Sequence, residues 1–215
     1  SALCLHPDGT IWIASRGNGI NTIKNGILSH FNLPQAPLAR DIRTIYADRE
    51  GNFWAGAASV GIILIKNNDH SVEIFNESHG LPSLIVSSFL EDSRGKMWVG
   101  TAAGLALFNY KKASFKIYQA RDGFPGGFVG ALGEDKDGNI WIGTNGNGLI
   151  RFANDKFSVY NLKKGLSNDV VTSICEDREG NLWIGTAGGG LNQRKDEKFM
   201  VLDSELGLSS DVVLP

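Results

Sequence analysis

Acidic side chains recur at one position of the sequence and are the first candidates for chemistry. Asp48, Asp92, Asp135 and Asp177 each open a short turn, as in "EDKDGN" (134–139) and "EDREGN" (176–181). Carboxylates held in pairs can act as acid and base, and a set of them can bind calcium. The repeats instead place one carboxylate in each turn, and "DKDGN" (135–139) lacks the spacing and closing glutamate of a calcium loop. We expect the four aspartates to accept hydrogen bonds from backbone N–H groups of their own turns.

Glycines, histidines and cysteines offer other chemistries, but none is in the required pattern. "GTNGNG" (143–148) and "GTAGGG" (185–190) open no helix and carry no GK[ST], so they predict tight turns rather than phosphate loops. The histidines share no metal-binding spacing: His6, His30, His70 and His79. The GxSxG motif of a serine nucleophile is also missing from the sequence. Cys4 and Cys175 form no CxxC pair, and we expect both to be reduced, buried and unreactive. The sequence thus predicts no catalytic residue, no metal site and no cofactor.

Composition is that of a folded, nearly neutral chain. Of 215 residues, 42% are hydrophobic and 20% charged, which is enough apolar surface for a core. A net charge of −2 gives no general attraction to nucleic acid. There is no apolar run of membrane-spanning length and no visible signal peptide, so we expect no membrane insertion by this segment.

Tryptophan marks an internal repeat. The five tryptophans are separated by 42, 44, 43 and 42 residues: Trp12, Trp54, Trp98, Trp141 and Trp183. A second marker follows in step, with glycines separated by 43, 42 and 42 residues: Gly80, Gly123, Gly165 and Gly207. A fixed period of this length indicates an array of one supersecondary unit. Each tryptophan lies between apolar neighbours. We therefore expect the tryptophans to be core residues rather than a row of platforms on which sugars or bases stack.

Each repeat reads as four short strands. In the fourth copy "VGALGED", "NIWIGT", "LIRFA" and "KFSVYNL" are separated by turns rich in Gly, Asn and Asp. Four antiparallel strands in about 42 residues are typical of one β-propeller blade. The nearly continuous apolar character of "NIWIGT" fits an inner strand that neighbouring blades cover on both faces. The fold class predicted is therefore an all-β propeller of four-stranded antiparallel blades.

The motif "EDxxGNxWIGTxxxGL" with the downstream "GLSxDVV" resembles the two-component regulator propeller repeat. That family builds sensor propellers in the extracytoplasmic part of bacterial hybrid histidine kinases and some diguanylate cyclases. The first copy departs most, because His6 replaces the aspartate, Ala14 replaces a glycine, and "LPQAPLARD" replaces the "GLSxD" link.

We interpret residues 1–215 as one propeller segment. The predicted blades are 1–41, 42–85, 86–128, 129–170 and 171–211. The chain begins and ends within a first strand, which leaves two alternatives open. It is either an open part of a larger ring, with about seven blades as the resemblance implies, or a five-bladed ring completed by "VVLP".

Differences between the copies indicate where a ligand would bind. In a propeller the turn after the second strand and the link to the next blade lie on the same rim, where converging loops form a mouth. Polar and aromatic residues distinguish the copies there, although such residues are also common on plain solvated surface. The candidate ligand-binding residues are Arg16, Asn18, Arg40, Ser59, Phe124, Asn145, Asn147 and Asn168.

The resemblance implies a ligand-sensing or interaction module, not an enzyme, in the periplasmic or extracytoplasmic part of an inner-membrane protein. Its expected partners are a small molecule or oligosaccharide, the remaining propeller and signalling domains, and a second copy in a homodimer, but no nucleic acid. Two alternatives are a propeller enzyme like streptogramin lyase, which has a similar "DGNxW" repeat but needs a histidine and a metal on one face, and a purely structural scaffold.

Overall fold

The structure, a computed structural model, describes residues 2–33, 39–195 and 198–214. Within these ranges twenty strands form five four-stranded antiparallel sheets, and in each sheet the strands are neighbours in chain order. The predicted all-β propeller fold is thereby confirmed, and each sheet is called a blade.

Blade 1 contains β1 (Ala2–Leu5), β2 (Ile11–Ser15), β3 (Gly19–Lys24) and β4 (Ile27–Phe31). Blade 2 contains β5 (Ile42–Ala47), β6 (Phe53–Ala57), β7 (Gly61–Ile65) and β8 (Val72–Phe75). Blade 3 contains β9 (Val86–Glu91), β10 (Met97–Thr101), β11 (Gly104–Asn109) and β12 (Ser114–Tyr118). Blade 4 contains β13 (Val129–Glu134), β14 (Ile140–Thr144), β15 (Leu149–Ala153) and β16 (Lys156–Tyr160). Blade 5 contains β17 (Val171–Glu176), β18 (Leu182–Thr186), β19 (Leu191–Lys195) and β20 (Lys198–Leu202).

The chain divides into two compact units. The first contains residues 1–102 and 106–117, and the second contains residues 103–105 and 118–215. The strands of every blade lie within the predicted blade boundaries. Whether the blades complete a ring stays a prediction.

Burial on both faces explains the apolar second strands. Every residue of β6, β10 and β14 is buried. In the first unit one apolar cluster joins blades 1 and 2, with Ile45, Phe53 and Ile63 packed against Trp12 and Phe31. In the second unit Trp141 and Leu182 belong to the cluster that joins blades 4 and 5. The tryptophans are therefore core residues at equivalent positions, as predicted, although Trp12 and Trp183 are only half-buried.

The glycine marker is explained by one-turn 3₁₀ helices in the links. These helices span Glu77–His79, Ala120–Asp122, Leu162–Lys164 and Ser204–Leu206. Each ends at the marker glycine, which adopts φ between 85° and 102°, a region that favours residues without Cβ. None of the helices in the described part of the chain could span a bilayer, since each has only three residues.

Candidate functional site

The repeated aspartates accept hydrogen bonds from the repeated tryptophans. In blade 2 the indole Nε1–H of Trp54 donates to Asp48 Oδ2 (2.9 Å), while the backbone N–H groups of Glu50 and Asn52 donate to Oδ1 (3.1 and 2.8 Å). The indoles of Trp98, Trp141 and Trp183 donate in the same way, at 2.9, 2.7 and 2.7 Å, to the aspartate six residues earlier. The predicted backbone caps are present, and the bond to the indole is a further role that the sequence reasoning missed. The donors named here belong to the same blade as the aspartate that accepts from them, so these carboxylates stabilise the blade.

The hydrogen bonds dominate the ionisation of Asp177. Burial raises the pKa of this carboxyl, but bonds from Asn181, Trp183 and the turn backbone outweigh that effect and lower the pKa to about 2. Hydrogen bonds donated to a carboxylate stabilise its ionised form. The folded state therefore favours the ionised form of Asp177.

We expect acid to weaken blade 5 through Asp177. A pKa that is lower in the folded than in the unfolded state gives stability that is present above the ordinary pKa of about 4 and is lost as the pH falls toward the folded value. Thermal unfolding between those two pH values, followed by tryptophan fluorescence, should show a steeper loss of Tm in wild type than in Asp177→Asn. Parallel pH profiles for the two proteins would contradict the assignment.

Blade 1 lacks this arrangement. His6 stands where the other blades have aspartate, and its ring nitrogens lie 2.8 Å from Asp8 Oδ1 and 2.9 Å from Gly51 O. Asp8 accepts from Thr10 N (2.9 Å) and pairs with Lys24 Nζ at 2.6 Å, and the Lys24 ammonium is the main cause that holds the pKa of Asp8 well below its usual range. Among the described residues, the buried Trp12 Nε1 has no hydrogen-bond partner.

Backbone hydrogen bonds place the variable turns beside the links, as predicted for a common rim. In blade 1 the N–H groups of Gly17 and Gly19 both donate to Arg40 O, at 2.9 and 3.0 Å. In the second unit Gly146 and Gly148 donate in the same way to Asp169 O, both at 2.9 Å. In blades 1 and 4 the link is thus tied to the turn that follows the second strand of the same blade.

In the first unit the structure brings together Arg16, Asn18 and Arg40. Arg16 forms an isolated β-bridge with Asp41, and all three predicted side chains are exposed. Asn18 and Arg40 line a groove of about 590 Å³ together with Asn21, His30 and Asn32. Ser59 occupies the corresponding turn of blade 2 and is also exposed.

In the second unit the predicted residues have mixed positions. Asn145 is exposed and forms an isolated β-bridge with Val170 at the start of its turn. The side-chain amide of Asn147 donates to Gly126 O (3.0 Å), and that of Asn168 donates to Ala187 O (3.1 Å). Both amides are thus bonded to backbone carbonyl groups of neighbouring loops.

Phe124 is a correction to the predicted ligand residues. It is fully buried, 5.4 Å from Phe157 between ring centroids, so it belongs to the core and offers no surface to a ligand.

The two cysteines are more exposed than the sequence predicts. Both cysteines are free, but Cys175 is exposed and Cys4 only half-buried, so the expectation of two buried thiols is wrong. Burial raises the pKa of the Cys4 thiol. Within residues 2–33, 39–195 and 198–214 no three His, Cys, Asp or Glu side chains are grouped so that they could hold a metal ion.

Comparison with known proteins finds a family whose model matches three segments of the chain. The model of the family described as "two component regulator propeller" matches residues 80–103, 123–146 and 165–188. No curated protein matches the sequence.

Solved structures share the fold. The extracellular domain of the putative hybrid two-component system BT3049 from B. thetaiotaomicron is 22% identical, with a TM-score of 0.87 over 99% of this chain and 30% of that chain. A catalytically inactive virginiamycin B lyase from Staphylococcus aureus is 14% identical, with a TM-score of 0.75 over 94% of this chain and 69% of that chain. PorZ, a surface component of the type-IX secretion system of Porphyromonas gingivalis, is 16% identical, with a TM-score of 0.76 over 100% and 35% of the two chains. The chain thus spans less than a third of the BT3049 domain.

Proposed function

Since the repeats around Trp98, Trp141 and Trp183 are two-component regulator propeller repeats, we propose that this chain is a ligand-sensing segment of a bacterial two-component signalling protein. It lies in the extracytoplasmic input region and has no catalytic role of its own. Its ligand is a nutrient such as an oligosaccharide, and its output passes to signalling domains elsewhere in the protein.

The observation that carries this proposal is the rim of blade 1. The turn 16–19 and the link at Arg40 are fixed to each other by backbone hydrogen bonds, yet their polar side chains point to solvent. A rigid backbone that presents exposed arginine and amide groups beside a groove suits directional recognition of hydroxyl groups. The equivalent turn of blade 5 contains only Ala187 and glycines, so the polar groups of blade 1 are not needed to build the turn.

An exposed apolar face on blade 1 supports the presence of further propeller blades as partners. Leu3 is 72% and Ile11 39% exposed, whereas their counterparts in blade 2, Ile45 and Phe53, are buried against blade 1. The same face of a repeated blade is thus covered in one copy and open in the other. A further blade would cover the open face as blade 1 covers that of blade 2.

The rim site is tested by calorimetry with a panel of oligosaccharides. We expect one member to bind wild type and the double variant Asn18→Ala/Arg40→Ala to bind it at least about tenfold more weakly, because two directional hydrogen bonds are lost. Both side chains are exposed, so the substitutions should leave the blade folded.

The matched control is Asn68→Ala/Arg94→Ala, which removes the same two residue types from exposed positions on other turns. Its affinity should equal that of wild type. An identified oligosaccharide whose affinity is unaffected by Asn18→Ala/Arg40→Ala would refute the rim site.

A further inference from the structure

Trp12 differs from Trp54 and Trp141 in the side chains that cover it. At the interface of blades 2 and 3, Trp54 meets the edges of Phe108 and Tyr110, with ring centroids 5.2 and 6.3 Å away. At the interface of blades 4 and 5, the guanidinium groups of Arg151 and Arg194 lie 5.9 and 5.0 Å from the Trp141 ring. Large side chains therefore fill the space beside both of these tryptophans.

The corresponding positions around Trp12 hold smaller side chains. Thr22 pairs with Trp12 in the sheet, where Leu64 pairs with Trp54. Asn67 lies six residues after Gly61, where Tyr110 lies six residues after Gly104. Beside Trp12 these smaller side chains line a cleft of about 760 Å³ between blades 1 and 2, here called the Trp12 cleft.

One wall of the Trp12 cleft is aromatic and the other groups around it are polar. Trp12 is half-buried and lines the cleft with Phe31 and Phe53, whose ring centroids lie 4.9 and 4.1 Å from it. The hydroxyl-bearing residues Thr22 and Ser29 also line it. An aromatic wall with a few hydroxyl and amide groups is the usual composition of a site that orients a small ring.

The charges favour a neutral ligand. Lys24 already pairs with Asp8 at 2.6 Å, and Lys66 lies 3.9 Å from Glu73. Each lysine of the cleft thus has a carboxylate nearby, so the site has no unbalanced positive charge that would select an anion.

We propose that the Trp12 cleft binds one neutral, hydroxylated ring, such as a single sugar unit. The apolar face of the ring lies against Trp12, and its hydroxyl groups bond to the polar side chains of the cleft. This site deepens the proposed sensing function, on which its ligand class rests, and it is distinct from the rim groove at Asn18 and Arg40.

The test uses the indole N–H signals of ¹⁵N-labelled protein, assigned for Trp12 by its loss in Trp12→Phe. The probes are the methyl glycosides of glucose, galactose, mannose and xylose. With at least one probe we expect a saturable shift of the Trp12 signal, while the four indoles that donate to aspartate move little.

The residues of the other blades supply variants that fill the cleft. Thr22→Leu/Asn67→Tyr installs the side chains found at Leu64 and Tyr110, and Ser29→Glu installs the one found at Glu73. Each should weaken binding of the responding glycoside at least about tenfold. Unchanged thermal unfolding would show that either variant is folded. The control Arg94→Ala, at an exposed position on a turn of blade 3, should keep wild-type affinity for the glycoside.

A Trp12 signal that none of the four glycosides moves up to about 100 mM overturns the proposal, since binding weaker than this is not a site in any functional sense. Unchanged affinity in both folded cleft variants also overturns it. If oligosaccharide binding ignores the rim substitutions while the Trp12 signal responds, the rim site fails and the Trp12 cleft stands.

Discussion

Replacing Trp54 by alanine should lower the free energy of unfolding by about 3–5 kcal/mol, the usual cost of removing a buried tryptophan. Trp54 has no exposed surface and is surrounded by aromatic rings of blades 2 and 3: Phe75, Phe89, Phe108 and Tyr110. Four rings on two blades cannot all move into the vacated volume, so a cavity remains. Urea unfolding followed by circular dichroism measures the loss.

Trp12→Ala is the matched control, since it removes the same side chain from a half-buried position beside an existing cleft. Its cost should be clearly smaller, because part of the indole is already in contact with solvent. An equal loss of unfolding free energy in the two variants would mean that burial of the indole does not determine how much each tryptophan stabilises the fold.

The repeat could be predicted from the sequence because one packing problem recurs in every blade. Each second strand needs a large apolar side chain at the same depth, so Trp54, Trp98 and Trp141 recur at nearly constant spacing and are all at least 98% buried. The turns between strands could be predicted as well, because Gly, Asn and Asp favour turn conformations through their own local properties.

The partner of each repeated aspartate was also visible in the sequence but was missed. The sequence of the turn explains the hydrogen bonds that Asp48 accepts from backbone N–H groups. It does not explain the bond from an indole in the next strand. The signal is the constant spacing of six residues between aspartate and tryptophan in four copies, together with its loss at His6.

Phe124 shows that a residue in a link between blades can be buried in the core. The residue after each of the first three marker glycines is apolar, and Leu81, Phe124 and Leu166 are all at most 3% exposed. A repeated apolar residue in a polar link indicates that the 3₁₀ turn folds it into the core. Asn147 and Asn168 could not be judged in this way, because their acceptors lie 21 and 19 residues away in the sequence.

The Trp12 cleft depends on contacts between blades, which the sequence of one repeat does not show. Thr22 and Asn67 look like ordinary polar residues of an outer strand and a turn. Only the structure shows that both line the same cleft as Trp12. Comparison with Leu64 and Arg151, which pair with Trp54 and Trp141, then shows that Thr22 is the smaller residue at this position of the blade.

Asp48→Ala should cost about 3 kcal/mol, because it leaves several buried donors without an acceptor and each such donor costs about 1–3 kcal/mol. The carboxylate is 5% exposed and accepts from two backbone N–H groups, from Asn52 Nδ2 (3.0 Å) and from Trp54 Nε1 (2.9 Å). The costs do not simply add, since the turn can open and admit water to some of the donors. The indole N–H is the donor with least access to water, because Trp54 is completely buried.

Asp137→Ala is the control, because Asp137 lies in the equivalent turn of blade 4 but is exposed. Its unfolding free energy should stay within about 0.5 kcal/mol of wild type. The indole N–H signal of Trp54 should shift in Asp48→Ala, since it loses a charged acceptor, and should be unchanged in Asp137→Ala. A stable Asp48→Ala protein with an unshifted Trp54 signal would show that the carboxylate does not hold the indole, and the six-residue spacing would then need another explanation.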